Sequence, residues 1–429
     1  MGILIQNGRV IDAASETDRI MDIYIKDDKI AALSESIDRI SKEDTVINAE
    51  GMLVLPGLVD MHVHLRDPGQ TDKEDIVSGA KAAARGGVTT IVAMPNTSPV
   101  VDSPDRLAYV LNKAKELAPV NVLQTGSLTA GEKGLEVSDI KGMAKAGAIA
   151  LSEDGKSVMN SRVLRNAMLL AAEEGLPILD HCEDIDLRGS GCMNDDRNAE
   201  RLGLPGIPNA TEDSITARDI AIAVDTGVHL HLCHVSTAGC ARIMQALKRE
   251  GINGITAEVC PHHLILSSDD IIRDDPDFKM NPPLRTPEDV KALREALADG
   301  SIQVISTDHA PHTRADKAGS MKTAAFGIVG LETSFSLIYT ELVLPGVITL
   351  MQLVEKMCLN PARILGLSCG IIAEGRPADI VIIDPEASYT IDKNKFASKG
   401  RNTPFHGRSV KGRVIHTICG GKEVYSYDK

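Results

Sequence analysis

Residues 60–69 read DMHVHLRDPG. Two imidazoles, flanked by carboxylates and a guanidinium at the end of the apolar run MLVLPGLV, are the groups that bind a divalent cation and an anion beside it. On an extended strand, residues two apart share a face, so His62 and His64 point the same way. Two histidines start a metal site without completing it. The other ligands must come from distant parts of the chain.

The elements that would deliver them follow an alternating rhythm. Short apolar or β-branched runs (LVLPGLVDMHVH, VTTIVAMP, NVLQTGSL, AIALSED, LPILDHC, VHLHLCHV, GITAEVCPHH and IQVISTDHAPH) alternate with stretches of helical composition such as KEDIVSGAKAAARGG. Eight strands, most followed by a helix, predict an α/β chain folded as a (β/α)8 TIM-like barrel over residues 54–368. A doubly wound sheet is less well supported, because no GxGxxG turn opens a first helix. Both chain ends instead alternate polar and apolar residues in short bursts, as in ILIQNGRVID and ADIVIIDPEASYTI. They predict one small β-sandwich domain built from residues 1–53 and 369–429. The turn-rich segment CMNDDRNAERLGLPGIPNATED reads as a long loop over one end of the barrel, and the sequence assigns no role to residues 188–213.

Barrel enzymes carry their reactive groups at the C-terminal ends of the strands. Reading each run to its end collects His62 and His64 from the first strand, Asp154 from the fourth, His181 from the fifth, His234 from the sixth and Asp308 from the eighth. Four imidazoles and two carboxylates exceed what one zinc needs and suit two metals sharing a carboxylate. His229 and His231 differ in parity from His234 and are expected to face the helices. His262 and His263 end the seventh strand, with a structural role expected. Arg66 offers a rigid donor fork suited to a carboxylate.

Composition narrows the function classes. A net charge of −14 argues against a general binder of nucleic acid or anionic membrane, and the absence of tryptophan leaves little to stack on bases. No apolar run approaches the ~20 residues of a membrane span. The N-terminal MGILIQNGRVID lacks the pattern of a signal peptide. Eight scattered cysteines without a CxxC pair suit buried thiols in the cytoplasm.

With HxHxRxPG at 62–69, MPNT at 94–97, SEDG at 152–155, HCED at 181–184, CHVST at 233–237, EVCPHHL, MNPPLR at 280–285 and TDHAPHTRADK at 307–317, the whole chain resembles the dihydroorotases of the amidohydrolase superfamily, in their longer bacterial and archaeal form. The resemblance implies a zinc-dependent cyclic amidohydrolase that interconverts N-carbamoyl-L-aspartate and dihydroorotate in pyrimidine synthesis. It implies two zincs per subunit. His62, His64 and Asp308 would hold the more buried one and His181 and His234 the other, with Asp154 as the bridge in place of the carboxylated lysine of many relatives. Lys156, the one nearby lysine, follows the strand and a glycine. Asp308 would also move the proton. Substrate contacts would come from His64, Arg66, Asn96, Asn281, His312, Phe326 and Gly327. Ser306 departs from the alanine or glycine more usual there, a change expected to affect packing. Similar proteins suggest a homodimer and a complex with aspartate carbamoyltransferase. A hydantoinase or allantoinase is the nearest alternative; Arg66 disfavours the first and the missing lysine disfavours both. A catalytically silent scaffold for the carbamoyltransferase is the other, disfavoured because no ligand is missing.

Overall fold

A computed structural model of the chain describes residues 2–38 and 41–427. The two chain ends meet in one eight-stranded sheet. Its N-terminal strands are Gly2–Asp12, Thr17–Lys26, Lys29–Ser34, Thr45–Asn48 and Leu53–Pro56; its C-terminal strands are Ile380–Thr390, Ser409–Cys419 and Lys422–Ser426. The second and third strands join through a two-residue turn in which Asp27 takes φ 57°, a left-handed conformation that aspartate tolerates. The ends are tied by antiparallel pairing of Leu53–Pro56 with Ile380–Ile383. The sheet closes over its own apolar interior, where Ile5, Val10, Ile23 and Ile25 meet Ile380, Ile382 and Ile418. Each such buried side chain is worth roughly 1.5–3 kcal/mol relative to exposure, so packing as well as pairing joins the termini.

The run LVLPGLVDMHVH, read from sequence as one strand, divides at Gly57. Leu53–Pro56 lies in the terminal sheet and Leu58–Val63 is the first barrel strand. Glycine is required at the crossing, since a Cβ at position 57 would lie 2.1 Å from Thr89 Oγ1.

Eight parallel strands form the barrel in chain order: Leu58–Val63, Val88–Ala93, Asn121–Gln124 continued by Gly126–Ser127, Leu151–Ser152, Ile178–Asp180, Leu230–Leu232, Ile255–Val259 and Val304–Ile305. The ring closes where Val63 pairs with His309 and the His64 amide donates to the His309 carbonyl at 2.8 Å. Helices including Ile76–Arg85, Ser161–Glu174, Ala210–Thr226 and Ala238–Arg249 cover the outside. Leu179, Cys233 and Val304 pack inside the barrel with Met61 and Val92, whereas Ile178, Leu230, Leu232 and Ile305 join the helix-facing core with Leu164, Ala223 and Met244.

That alternation corrects the expectation for the sixth strand. With Leu230 and Leu232 against the helices, His231 lies inside, its Nε2 3.3 Å from Glu258 Oε2. Parity with His234 misleads because His234 sits at φ 35°, a left-handed turn that swings it inward although it is out of phase with His231. His229 is half-buried and bonds Thr256 Oγ1 at 3.0 Å.

The segment after the fifth strand is also more ordered than a loop. Met193–Asn194 pairs in parallel with Gly206–Ile207, and Asp196 caps the helix Arg197–Leu202. The fully buried Arg285 holds both strands, donating to Asn194 Oδ1 at 3.1 Å and to the Ile207 carbonyl at 2.8 Å. Among the described residues, no helix is long and apolar enough to cross a membrane.

Candidate metal centre

The C-terminal ends of five barrel strands bring His62, His64, Asp154, His181, His234 and Asp308 together, each at most 7% exposed. Two triads form, His62–His64–Asp154 and Asp154–His181–His234, with Asp154 common to both. Asp154 Oδ1 lies 3.2 Å from His62 Nε2 and 3.9 Å from both His181 Nδ1 and His234 Nε2; its Oδ2 lies 3.4 Å from His64 Nε2. Asp308 Oδ1 is 3.0 Å from His64 Nε2 and 3.6 Å from His62 Nε2. Lys156 is not part of the cluster: it is exposed and donates to the Glu132 carbonyl at 3.2 Å. Behind the strand ends, the Thr307 hydroxyl donates to Asp60 Oδ2 at 2.6 Å, clamping the eighth strand to the first, and burial pushes the Asp60 carboxyl up to about 6.

Proton placement decides whether this cluster fits divalent cations. Asn96 Nδ2 donates to Asp154 Oδ2 at 2.8 Å, so Asn96 Oδ1 is turned to accept from His64 Nδ1 at 2.9 Å. His62 Nδ1 donates to Glu258 Oε1 at 2.8 Å. With those protons on Nδ1, cations bound here would meet a lone pair on each Nε2, the atom that faces the carboxylates of Asp154 and Asp308; in the cation-free cluster burial lowers the His62 pKa, but Cys233 and Asp154 raise it well above its ordinary value, and His62 Nε2 is buried without a hydrogen-bond partner. Lone pairs facing carboxylates in a buried site need cations between them, and this donor set suits them. For His234, burial, then the neighbouring His181 and His62, push the pKa down to about 3, leaving a neutral ligand at pH 7. Burial alone would raise the Asp154 carboxyl, but the adjacent His62 and His64 hold it well below the usual carboxylate range.

Two carboxylates support the histidines from outside the cluster. Glu258, wholly buried, accepts from His62, from His231 Nε2 and, at 3.4 Å, from the His234 amide. Glu183 accepts from Asn281 Nδ2 at 2.9 Å, lies 3.5 Å from His181 Nε2 and 3.3 Å from Arg188 Nε. The sequence reading missed Glu183, Arg188 and Glu258. Signals existed: Glu183 shares parity with His181 in HCED, and Glu258 is a lone carboxylate in the apolar run ITAEV.

Above the cluster opens a cleft of about 620 Å³. It is lined by Arg66, Asn96, Gly155, Glu183, Arg188, Asn281, Ala310, His312, Phe326 and Gly327, together with every clustered residue except His62, which lies beneath. Arg66, 9% exposed at φ 57°, donates through Nε to the Pro311 carbonyl at 3.3 Å, and its Nη2 is 3.4 Å from His312 Nε2. His312 Nε2 lies 2.7 Å from the Phe326 carbonyl, and burial together with Arg66 pushes its pKa down to about 3. Gly327, at φ 131°, packs where a Cβ would lie 2.7 Å from Ala310 Cβ. Lys317 Nζ braces this wall through the carbonyls of Lys279, Ala325 and Gly327 at 2.9–3.0 Å. Ser306 Oγ is buried without a hydrogen-bond partner among the described residues. A larger cavity of about 880 Å³ between barrel and sheet, lined by Arg85, Tyr389, Arg413 and Tyr425, has no comparable cluster among the described residues.

Comparison with known proteins gives the family. The model of the amidohydrolase family matches residues 53–424. The chain is 47% identical over 425 residues to a protein of Geobacter metallireducens named dihydroorotase, covering 99% of this chain and 100% of that one. It is also 47% identical to a dihydroorotase of Pelotomaculum thermopropionicum, over 99% and 98% of the two chains. Among solved structures it is similar to the L-hydantoinase (dihydropyrimidinase) from Arthrobacter aurescens, with a TM-score of 0.88 and 27% identity over 99% of this chain and 96% of that one. The dihydropyrimidinase from Brevibacillus agri gives a TM-score of 0.87 and 26% identity over 100% and 96%.

Proposed function

This chain belongs to the amidohydrolase family, and from that premise we propose that it catalyses the reversible closure of N-carbamoyl-L-aspartate to dihydroorotate and water, the dihydroorotase reaction of pyrimidine synthesis. The observation that carries the substrate class is Arg66. Its guanidinium is buried in the cleft wall, and among the described residues it forms no ion pair. Asp308 and Asp154 act on it from a distance, but a buried cation without a carboxylate in direct contact is costly. A substrate carboxylate would supply that charge, and the arginine fork matches it in geometry. A neutral hydantoin ring would not. The full-length similarity to proteins named dihydroorotase supports the same choice.

In this reading His62, His64, Asp154, His181, His234 and Asp308 would hold two divalent cations, taken to be zinc, with Asp154 shared by the two triads. When bound, such cations supply a water of lowered pKa and a Lewis acid for the scissile carbonyl. Asp308 accepts the proton of the attacking water and returns it to the leaving ring nitrogen. Burial raises its carboxyl, but the adjacent His64 and His62 outweigh that and hold it below the usual range, so it is ionised and able to accept. In the direction of ring closure Asp308 must begin protonated, so closure gains as pH falls. Arg66 and Asn96 hold the substrate carboxylate, Asn281 meets the ring edge, and the Phe326–Gly327 backbone, fixed through His312 and Lys317, forms the opposite wall. All eight cysteines are free and buried, which supports a reducing, cytoplasmic setting.

The test supplies zinc-reconstituted protein with L-dihydroorotate, hydantoin and allantoin in separate assays. Hydrolysis of dihydroorotate alone is expected. Hydantoin turned over as fast or faster overturns the proposal.

A further inference from the structure

A chain of buried polar groups runs from His62 away from the cleft, through the barrel interior. His62 Nδ1 meets Glu258 Oε1 at 2.8 Å, Glu258 Oε2 meets His231 Nε2 at 3.3 Å, His231 Nδ1 meets Thr256 Oγ1 at 2.8 Å, and Thr256 Oγ1 meets His229 Nε2 at 3.0 Å. His62, His231 and Glu258 are wholly buried, and His229 at the far end is half-buried. One assignment of protons satisfies every link. Ionised Glu258 only accepts, so His62 Nδ1–H and His231 Nε2–H both donate to it. Neutral His231 then has a lone pair on Nδ1, which the Thr256 hydroxyl fills, and the hydroxyl oxygen accepts from His229 Nε2–H.

The carboxylate does more than end a chain. Its Oε1 also receives the His234 backbone amide at 3.4 Å, at the residue whose φ of 35° turns the sixth strand out of register. The Val235 amide donates to the Glu258 backbone carbonyl at 2.9 Å, so the seventh strand grips that turn twice. Glu258 therefore touches one proposed ligand from each half of the centre: the ring of His62 and the backbone that aims His234. Removing it would free the His62 ring to exchange tautomers, placing a proton on the Nε2 that faces Asp154, and would remove its hydrogen bond to the His234 amide in the turn.

We propose that Glu258, seated on His231, is the positioning residue of the centre, holding His62 in the Nδ1–H tautomer and His234 in its inward turn so that both present lone pairs to cations. Carboxylates behind metal-bound histidines commonly govern affinity by 10–100-fold. The inference rests on the two-cation reading of the centre, and it can fail separately from the proposed reaction.

Two readouts test it without substrate. Zinc affinity is measured by competition with a chromophoric chelator for the wild type, Glu258→Gln, His231→Gln and Thr256→Val. The tautomer of His62 is read from imidazole ¹⁵N shifts in metal-free protein. Glu258→Gln is expected to weaken zinc binding by about 10–100-fold, His231→Gln less and Thr256→Val least, and metal-free wild type is expected to show His62 with Nδ1 protonated. A Glu258→Gln protein that binds zinc within twofold of wild type overturns the proposal, as does wild-type His62 found mainly as Nε2–H. Thermal melting of each metal-free variant confirms that folded proteins are compared. Should Glu258→Gln fail to fold, His231→Gln and the wild-type tautomer still decide. Failure to hydrolyse dihydroorotate with the affinity order intact would count against the reaction and leave the positioning role standing.

Discussion

The two halves of the centre are held in different ways. His62 and His64 are each fixed by a partner on the ring nitrogen facing away from the cluster: Glu258 at 2.8 Å and Asn96 at 2.9 Å. His181 and His234 instead face each other, His181 Nδ1 to His234 Nε2 at 2.9 Å, while His181 Nε2 and His234 Nδ1 are buried without hydrogen-bond partners. The carboxylate nearest His181 is Glu183, at 3.5 Å, and it is shared with Asn281 and Arg188 in the cleft wall. One half is anchored in the barrel interior; the other is tied to groups that would touch substrate. The difference suggests a division of labour, with the first half setting rigid geometry and the second coupling it to what occupies the cleft.

That contrast can be broken most completely at the residue common to both halves. Asp154→Ala should abolish binding of two zincs and lower hydrolysis by on the order of 10³-fold or more, as expected when the cations that generate the nucleophile are lost; metal analysis after gel filtration together with steady-state rates checks this. Next comes the anion site. Arg66→Met should lower kcat/KM for dihydroorotate by about 100-fold, the equivalent of one charged hydrogen-bond pair, while zinc stoichiometry stays at the wild-type value. A smaller effect separates the halves. Glu183→Gln should cost about 10-fold in affinity for one zinc equivalent and raise KM through Asn281, leaving the tighter equivalent unaltered; chelator competition resolving two classes of site reads the split. Equal weakening of both classes would remove the distinction between anchored and coupled halves. Smallest of all, Lys156→Met should stay within about twofold of wild type in rate and zinc content, since its side chain points away to the Glu132 carbonyl.

Much of this was legible in the chain because barrel strands are short and their ends are marked. HVH, SED, HCE, CHV and TDH each put a ligand-type residue just beyond an apolar run, and the alternation of the fifth strand carries unchanged from Leu179 inside to His181 inside. The same rule failed one strand later. His231 and His234 both reach the interior because φ at His234 is positive, and that turn is imposed by hydrogen bonds from the neighbouring strand rather than by local sequence. Glu258 was overlooked for the complementary reason: a single carboxylate in ITAEV matters only because His62, 196 residues earlier, meets it. The segment after the fifth strand looked like a loop because Asp196, Gly203 and Pro205 are turn formers. They cap and join short elements whose anchor, Arg285, lies far along the chain. Local pattern identified the strands and their ends; contacts between distant strands set the orientation of the side chains there.

The most direct test of the account is a zinc titration of metal-stripped protein with hydrolysis of L-dihydroorotate and of hydantoin followed in parallel. The account predicts that dihydroorotate hydrolysis rises and levels off at two zinc equivalents per chain, with hydantoin hardly touched throughout. Full activity in the stripped protein, or hydantoin turnover overtaking that of dihydroorotate at two equivalents, would contradict it.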